Sequence, residues 1–553
     1  MNERPSPSIV TGAAAGGLAT APLLALLYLA SHLAGTPFVA FSLFDWLART
    51  LPGPIITFGI DLIVSVIRGL NLGATDRAAK TAEGALAILL VVIAGMALGG
   101  LLFALLRRAP GRAGGLPGLT LGAIAGGVLA ALGLAFPAGA TAHPVVSAAV
   151  VGAACLAWGW GLVWLYNALL ERPVSRAEMP APAEARAIDR RQFLVRVGGA
   201  TAAITVAGAG VGALLSRRLD EAAPAATAGG EAAAAPPPAW SDLNPLPNAG
   251  DPLAPAPGTR LEFTPVRDHY RIDINLRPVA VAEDGWKLQV FGQVNNPLEL
   301  TLDDLRTKYE PVDQFVTLSC ISNPLGGDLI STQRWTGVPL KHVLEDAGLR
   351  GRTGFIDIRS ADGFHETLDV ATALRDERIM LAYAWDGLPL TVDHGFPLRI
   401  YIPDLYGMKQ PKWILSLEIT DEPREGYWVA RGWDEVARVR ATSVIDTVAT
   451  ENLIQENGRT LVPVGGIAYA GARGISKVEV QVDDGEWQEA RLRAPISGTT
   501  WVIWRFDWPF EAGDHTFFVR CVDGQSTPQI ERVQDARPSG ATGVHRRRAS
   551  LRA

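Results

Sequence analysis

Residues 315–340 read FVTLSCISNPLGGDLISTQRWTGVPL. Phe315-Val316-Thr317-Leu318 has the β-branched and aromatic composition of a strand, and Gly326-Gly327-Asp328 has that of a turn. Between them stands Cys320, one of three cysteines in 553 residues. Two readings of this thiol stand at this point. A buried cysteine packs as a small hydrophobe. A cysteine at a strand end, followed by a polar loop, is placed to touch a ligand. Three cysteines cannot build a disulfide framework. Cys155 lies in an apolar run and Cys521 in a strand-like run, and no CxxC or Cys/His spacing points to zinc or an iron–sulfur cluster.

Outward from this stretch, the chain is too long for one ordinary domain. Its net charge is −6, with no basic field, which argues against nucleic acid as a partner. Charged residues make up only 19 %, and the apolar excess lies in the N-terminal part. Six apolar segments, near 9–33, 52–70, 84–106, 115–137, 144–170 and 197–215, are predicted to span a bilayer. Pro37 to Arg49, with Asp45 and aromatics, reads as interfacial. Arg107, Arg108 and Arg112, and the loop holding Arg172, Arg176, Arg186, Arg190 and Arg191, mark cytoplasmic ends. Counting from these puts the N-terminus outside and everything after about residue 218 on the outer face of a cell membrane. Asp189-Arg190-Arg191-Gln192-Phe193-Leu194 looks like a twin-arginine export signal inside the chain; an ordinary positive-inside flank reads the same way. Asp61, inside the second segment, is either a proton- or quinone-handling carboxylate or one tied to a neighbouring helix or a water pocket. His32 and His143 fall near opposite faces, so no membrane haem is expected.

Residues 219–260 are Ala/Pro-rich and predict a tether between a 1–218 membrane region and the outer half. From 261 to 435 strand-like alternation (Lys287 to Val294) mixes with short helical stretches, which predicts an α+β domain. From 436 to 545 the pattern is strand and turn, as in GISKVEVQVDDGEWQEARL, which predicts an antiparallel immunoglobulin-like β-sandwich.

The motifs in order resemble the sulfite oxidase family of molybdopterin enzymes. They are Leu318-Ser319-Cys320-Ile321-Ser322-Asn323, then Gly326-Gly327-Asp328, then Ser331 to Leu340, then LPLTVDHGFPLRIYIPDLYGMKQPKW from Leu388 to Trp413. GIAYAGARGISKVEVQVDDGEW resembles the same family's dimerisation domain. The likeness covers about residues 265–545 and looks like a membrane-tethered bacterial branch.

The resemblance implies that Cys320 ligates molybdenum beside one molybdopterin, a role that suits a soft thiolate. It implies that His394 and Arg399 hold the anionic cofactor, with Gln410 and Lys412 in its phosphate-side loop, Lys409 nearby, and Ser360 and Asn323 as further contacts. Tyr270, Arg271 and Asp273 match the segment closing over the pterin, with Arg271 next to the metal. Two positions depart from the pattern. Pro324 and Leu325 follow Asn323 where the family has arginines, and Trp433 stands where it has a tyrosine near the metal. No His-Pro-Gly-Gly segment is present, so no haem is expected. The implied activity is oxygen-atom transfer to or from a small oxyanion or sulfoxide. Electrons would be exchanged with a cytochrome or quinone-linked carrier, the membrane half would lie in lipid, and the last domain would pair two copies. The competing reading is a non-catalytic surface scaffold on a molybdopterin-enzyme fold.

Overall fold

The computed structural model describes residues 6–70, 73–108, 111–137, 139–170, 237–351 and 354–552. The first six helices are α1 (Ile9–Leu33), α2 (Val39–Thr50), α3 (Gly53–Gly69), α4 (Thr75–Leu106), α5 (Leu116–Ala135) and α6 (Pro144–Leu170). The chain forms two compact units. One draws on Met1–Leu51, Ala79–Pro236 and Ile274–Pro278, the other on Pro52–Ala78, Pro237–Asp273 and Val279–Ala553.

In the helical unit, α1, α4, α5 and α6 are long and apolar enough to cross a membrane. Small residues let their backbones approach closely. A methyl group on Gly118 of α5 would collide with the Gly159 carbonyl of α6, and one on Gly16 of α1 with the Gly95 carbonyl of α4. The hydropathy window of the third predicted span marks only its apolar core, and the helix starts earlier, at Thr75. The 52–70 window forms α3, a 17-residue helix belonging to the other unit. The window at 197–215 and the paired arginines at 190 and 191 lie outside the described residues. The interfacial stretch at 37–49 becomes α2, whose Asp45 is buried and accepts a hydrogen bond from the Leu276 amide at 3.2 Å.

The stretch expected as a tether up to residue 260 is packed from residue 237 on. Arg493 donates to the Asp251, Leu253 and Asn248 carbonyls, and the Trp240 ring packs edge-on against Phe315. Composition gave no sign of this, because the partners lie far along the chain.

The expected α+β domain has ten strands: β1 (Leu288–Gly292), β2 (Leu298–Leu300), β3 (Val312–Ser319), β4 (Ile330–Pro339), β5 (Phe355–Ser360), β6 (His365–Asp369), β7 (Met380–Trp385), β8 (Leu388–Pro389), β9 (Arg399–Tyr401) and β10 (Ile414–Thr420). One mixed sheet runs β2-β1-β10-β5-β6, with β1 parallel to β10. A second, antiparallel sheet runs β3-β4-β7-β8, with β9 on β7. Both sheets and the helix Leu340–Ala347 share one core, centred on Leu288, Val316, Trp335, Val343, Ile358, Leu381 and Leu417.

The C-terminal module has nine strands: β11 (Thr442–Val448), β12 (Ile454–Glu456), β13 (Arg459–Tyr469), β14 (Ile475–Val482), β15 (Gln488–Glu489), β16 (Arg491–Leu492), β17 (Val502–Pro509), β18 (Gly513–Asp523) and β19 (His545–Leu551). They make two antiparallel sheets, β11-β13-β17-β16 with β12 on β13, and β15-β14-β18-β19. Val464 and Trp504 from one sheet meet Val480, Phe517 and Val519 from the other. The first sheet is covered on its second face too. Ile467, Tyr469 and Ile503 join Ile321, Tyr406 and Trp433 in a further cluster, so β13 reads as a near-continuous buried run.

β3 is an edge strand, and an open edge is a liability. The module closes it. Tyr469 donates to the Thr317 carbonyl at 2.6 Å, Ser497 and Thr499 donate to the Phe315 carbonyl, and the Thr317 amide donates to the Thr499 carbonyl. The strand that carries the thiol is therefore fixed from outside its own domain.

A buried thiol beside a cationic pocket

Cys320 follows the last residue of β3, and the 320–329 loop joins β3 to β4. The Cys320 amide donates to the Leu329 carbonyl, and the Asn323 carboxamide oxygen accepts from the Leu329 amide at 3.0 Å. Asn323 thus braces this loop. The thiol is 7 % exposed and lies 3.0 Å from the Ser322 hydroxyl. Burial pushes its pKa up, so the free protein carries a neutral thiol, and a soft metal would displace the proton.

Tyr270 packs with Cys320, Leu318 and Leu329, and its amide donates to the Ser331 hydroxyl at 3.0 Å. Its ring stacks on His269, with centroids 5.4 Å apart. His269 in turn meets His394 at 5.1 Å and Trp335 at 5.9 Å. Arg399 lies over the Trp335 ring at 4.3 Å and donates to the His394 carbonyl at 3.1 Å. His394 ends a short 3-10 turn at Gly395, whose φ is +109°. A Cβ there would press to 3.1 Å on both Arg399 and Lys412, so glycine keeps the two cations close.

The charges in this pocket are unbalanced. Arg399 is 4 % exposed and has no carboxylate partner among the described residues. Burial lowers its pKa to about 10. Lys412 donates to the Asp393 carbonyl and lies 3.4 Å from Asp273; burial lowers its pKa to about 8. Burial and the nearby Arg399 push His269 down to about 3, and His394 falls well below its usual range, first by burial and then by His269 and Lys412. Arg271 pairs with Asp273 at 2.7 Å and with Asp393 at 3.4 Å. Its amide donates to Asp76 at 2.9 Å.

Among the described residues, several buried polar atoms have no partner: the donors Arg399 Nε and Arg271 Nη2, the Ser360 hydroxyl, and His269 Nε2, an acceptor because Nδ1 donates to the Tyr270 carbonyl. The β5–β10 register sets Ser360 opposite Ile414, two residues past Lys412. Unpaired buried cations and donors are costly unless an anion completes them. A phosphate-bearing, thiolate-rich cofactor fits this deficit in charge and in donor type.

Most of the expected residues come together here: Cys320, Tyr270, Arg271, Asp273, Ser360, His394, Arg399 and Lys412. Four are otherwise engaged: Gln410, Asn323, Lys409 and Trp433. Gln410 donates to the Ile402 and Leu405 carbonyls and holds its own loop, as Asn323 does. Lys409 is tied to Glu366 at 2.6 Å. Trp433 is buried in the apolar cluster with Ile321 and Tyr406, with the Arg537 guanidinium 5.3 Å above its ring. Sequence reasoning missed His269 and Asp76. His269 adjoins the Tyr270-Arg271 pair, the one local sign it gave. Asp76 stands 195 residues before its partner and gave none.

Residues 275–428 match the family model of the oxidoreductase molybdopterin binding domain, and residues 421–533 that of the Mo-co oxidoreductase dimerisation domain. The uncharacterized oxidoreductase YuiH of Bacillus subtilis (strain 168) is 33 % identical over 150 residues, 27 % of this chain and 72 % of that protein. Mitochondrial sulfite oxidase of Rattus norvegicus is 28 % identical over 313 residues, 48 % of this chain. The match spans 56 % of that relative's length. The solved sulfane dehydrogenase SoxCD from Paracoccus pantotrophus aligns with a TM-score of 0.47 at 20 % identity, over 60 % of this chain and 96 % of that one. The thiol, the anion-seeking pocket and the two matched domains have one common explanation: this chain belongs to the sulfite oxidase family of molybdopterin-binding oxidoreductases, and its cofactor is molybdenum–molybdopterin.

Proposed function

We propose that this protein transfers an oxygen atom to or from a small sulfur compound, a sulfite-like oxyanion or a sulfoxide, outside the cytoplasm. Electrons pass to or from a separate carrier, a cytochrome or a quinone-linked protein. The carrying observation is the buried Arg399, without a carboxylate partner among the described residues, beside the ring contacts that lead through His394, His269 and Tyr270 to Cys320. When bound, the cofactor supplies the two-electron oxygen transfer and the one-electron steps that follow.

The chain's own residues bind and orient. Cys320 gives the thiolate ligand. Arg399, Lys412 and Arg271 neutralise the cofactor's anionic groups, and neutral His394, His269 and Ser360 supply directional hydrogen bonds. Asp273 keeps Arg271 and Lys412 in register. Tyr270 walls off the thiol from water. Asn323 and Gln410 hold the loops on which the contacts stand. On the substrate side, the cavity next to the thiol's loop is lined by Pro324 and Leu325 together with Arg260, Arg440 and Asn323, so donors for the oxygen of an oxyanion or a sulfoxide stand beside the apolar pair.

Four apolar helices support membrane anchoring, with the cofactor-binding unit on the outer side. The two-sheet module reads as immunoglobulin-like, and its family model supports pairing of two copies. Elemental analysis and EPR of the detergent-solubilised protein test the reading. We expect about one molybdenum per chain, a Mo(V) signal on partial reduction, and turnover with a member of a sulfoxide and oxyanion panel. A metal-free preparation from a cofactor-competent host would sink it.

A further inference from the structure

We propose that α3 is a surface helix whose apolar face rests in the headgroup layer of the lipid bilayer next to the cofactor pocket, and that it does not cross the membrane. The proposal builds on the membrane-anchored reading above. Both ends of the α3 segment are fastened to the cofactor-binding unit. At its start Gly53 lies against Arg431, where an added Cβ would stand 3.1 Å from the Arg431 Cα. Just past its end, the Thr75 amide donates to Asp328 at 2.8 Å and Asp76 accepts from the Arg271 amide at 2.9 Å. A helix of 17 residues is about 25 Å long, shorter than the ~30 Å hydrocarbon core. A segment with both ends on one globular unit cannot have them on opposite faces of a membrane.

The helix is two-sided. Thr57 and Ile67 are buried. Ile55, Phe58, Leu62 and Val66 are exposed by 54, 68, 52 and 46 %, and their spacing of three and four makes one stripe. Asp61, exposed, flanks that stripe, where a carboxylate can stay in water while its neighbours sink a few ångströms into lipid. The occupant follows from the chain itself. The segment runs directly on from α2 and opens into α4, and α1 and α4 on either side are candidate spans. Nothing but bilayer is reached so surely by a stripe tethered this tightly.

The basic residues agree. With α3 removed from the count, α1 runs outward and α4 runs inward to Arg107 and Arg108. Then α5 runs outward and α6 runs inward, toward the arginine-rich sequence at 172–191; the 197–215 window, outside the described residues, is expected from its sequence alone to supply the next outward crossing. Residues 34–74 and 237–552 then share one face, as the Asp76–Arg271 bond requires. Counted as a span, α3 would put Gly53 on the face opposite Arg431. This places the N-terminus inside, not outside as six spans require.

The three native cysteines are buried, so spin labels on Phe58→Cys and Leu62→Cys report selectively. The cofactor-loaded full chain is placed in vesicles of phosphatidylcholine and phosphatidylglycerol, with Ile124→Cys on α5 as reference. Oxygen and water-soluble nickel collision rates then give each label's depth. Expected are oxygen-accessible labels at headgroup depth on α3 and a deep label at 124. An α3 label as deep as the reference means a span, one open to nickel means water, and one closed to both means a protein partner; each overturns the proposal. A reference label open to nickel means that the anchored reading itself has failed.

Discussion

At the residue scale, Arg399 is a buried cation with no carboxylate partner among the described residues. Arg399→Met keeps the volume and removes a buried, uncompensated guanidinium. The cofactor-free protein should therefore gain about 1–3 kcal/mol of stability, while molybdenum content on purification falls severalfold. Thermal unfolding and metal analysis of the same preparation check the two opposite signs. Cys320→Ser should leave the fold intact and lower turnover about 100-fold or more, with the Mo(V) signal changed or lost. The histidines make a pH prediction. Free histidine titrates near 6.5, but His269 falls to about 3 and His394 also falls. Between about 6.5 and 3 the unfolded chain binds more protons than the fold. Stability of the cofactor-free protein should therefore drop as pH falls through that window, by up to about 1.4 kcal/mol per pH unit for each imidazole. A His269→Asn variant should flatten the slope measured by thermal midpoint against pH. Cys320, His394, Arg399 and Lys412 were legible because they stand in spaced motifs. His269 and Asp76 act through contacts that no local spacing announces.

At the element scale, β3 shows how one strand's edge is finished by another module. Tyr469→Phe removes the hydroxyl that donates to Thr317 and leaves the carbonyl unpartnered on that side. A loss of about 1 kcal/mol is expected, with a shifted Mo(V) spectrum if the strand end carrying Cys320 moves. An unchanged spectrum would confine Tyr469 to stability alone. The strands and turns of the C-terminal module were plain from alternation at Val478, Val480 and Val482, whose even-numbered side chains point into one core. The packing of residues 237–260 was not, because an Ala/Pro-rich composition looks the same whether free or held by Arg493. Hydropathy found α1, α4, α5 and α6. It treated the 52–70 window alike because average apolarity ignores which face the apolar groups occupy and where the helix ends are fastened.

At the scale of the whole molecule, the dimerisation-domain match leads to an assembly prediction. Light scattering on the solubilised protein should return two chains per particle. Val533, 76 % exposed in the C-terminal module, is an apolar side chain left to solvent by the single chain. Val533→Glu should shift the particle toward one chain if this side chain lies in the contact. A single chain per particle for the parent protein would remove the pairing.

The stapled edge of β3 also sets an order of events during synthesis. The strand that presents residue 320 meets its outer partners at residues 469, 497 and 499, which leave the ribosome some 150 to 180 positions later, while both partners of the Asp76–Arg271 bond are already present when the strand is made. A nascent chain therefore has no finished receptacle to offer. A chain stopped before residue 469 is expected to retain less molybdenum than the full chain, because the strand end that carries the thiol lacks its outer partners.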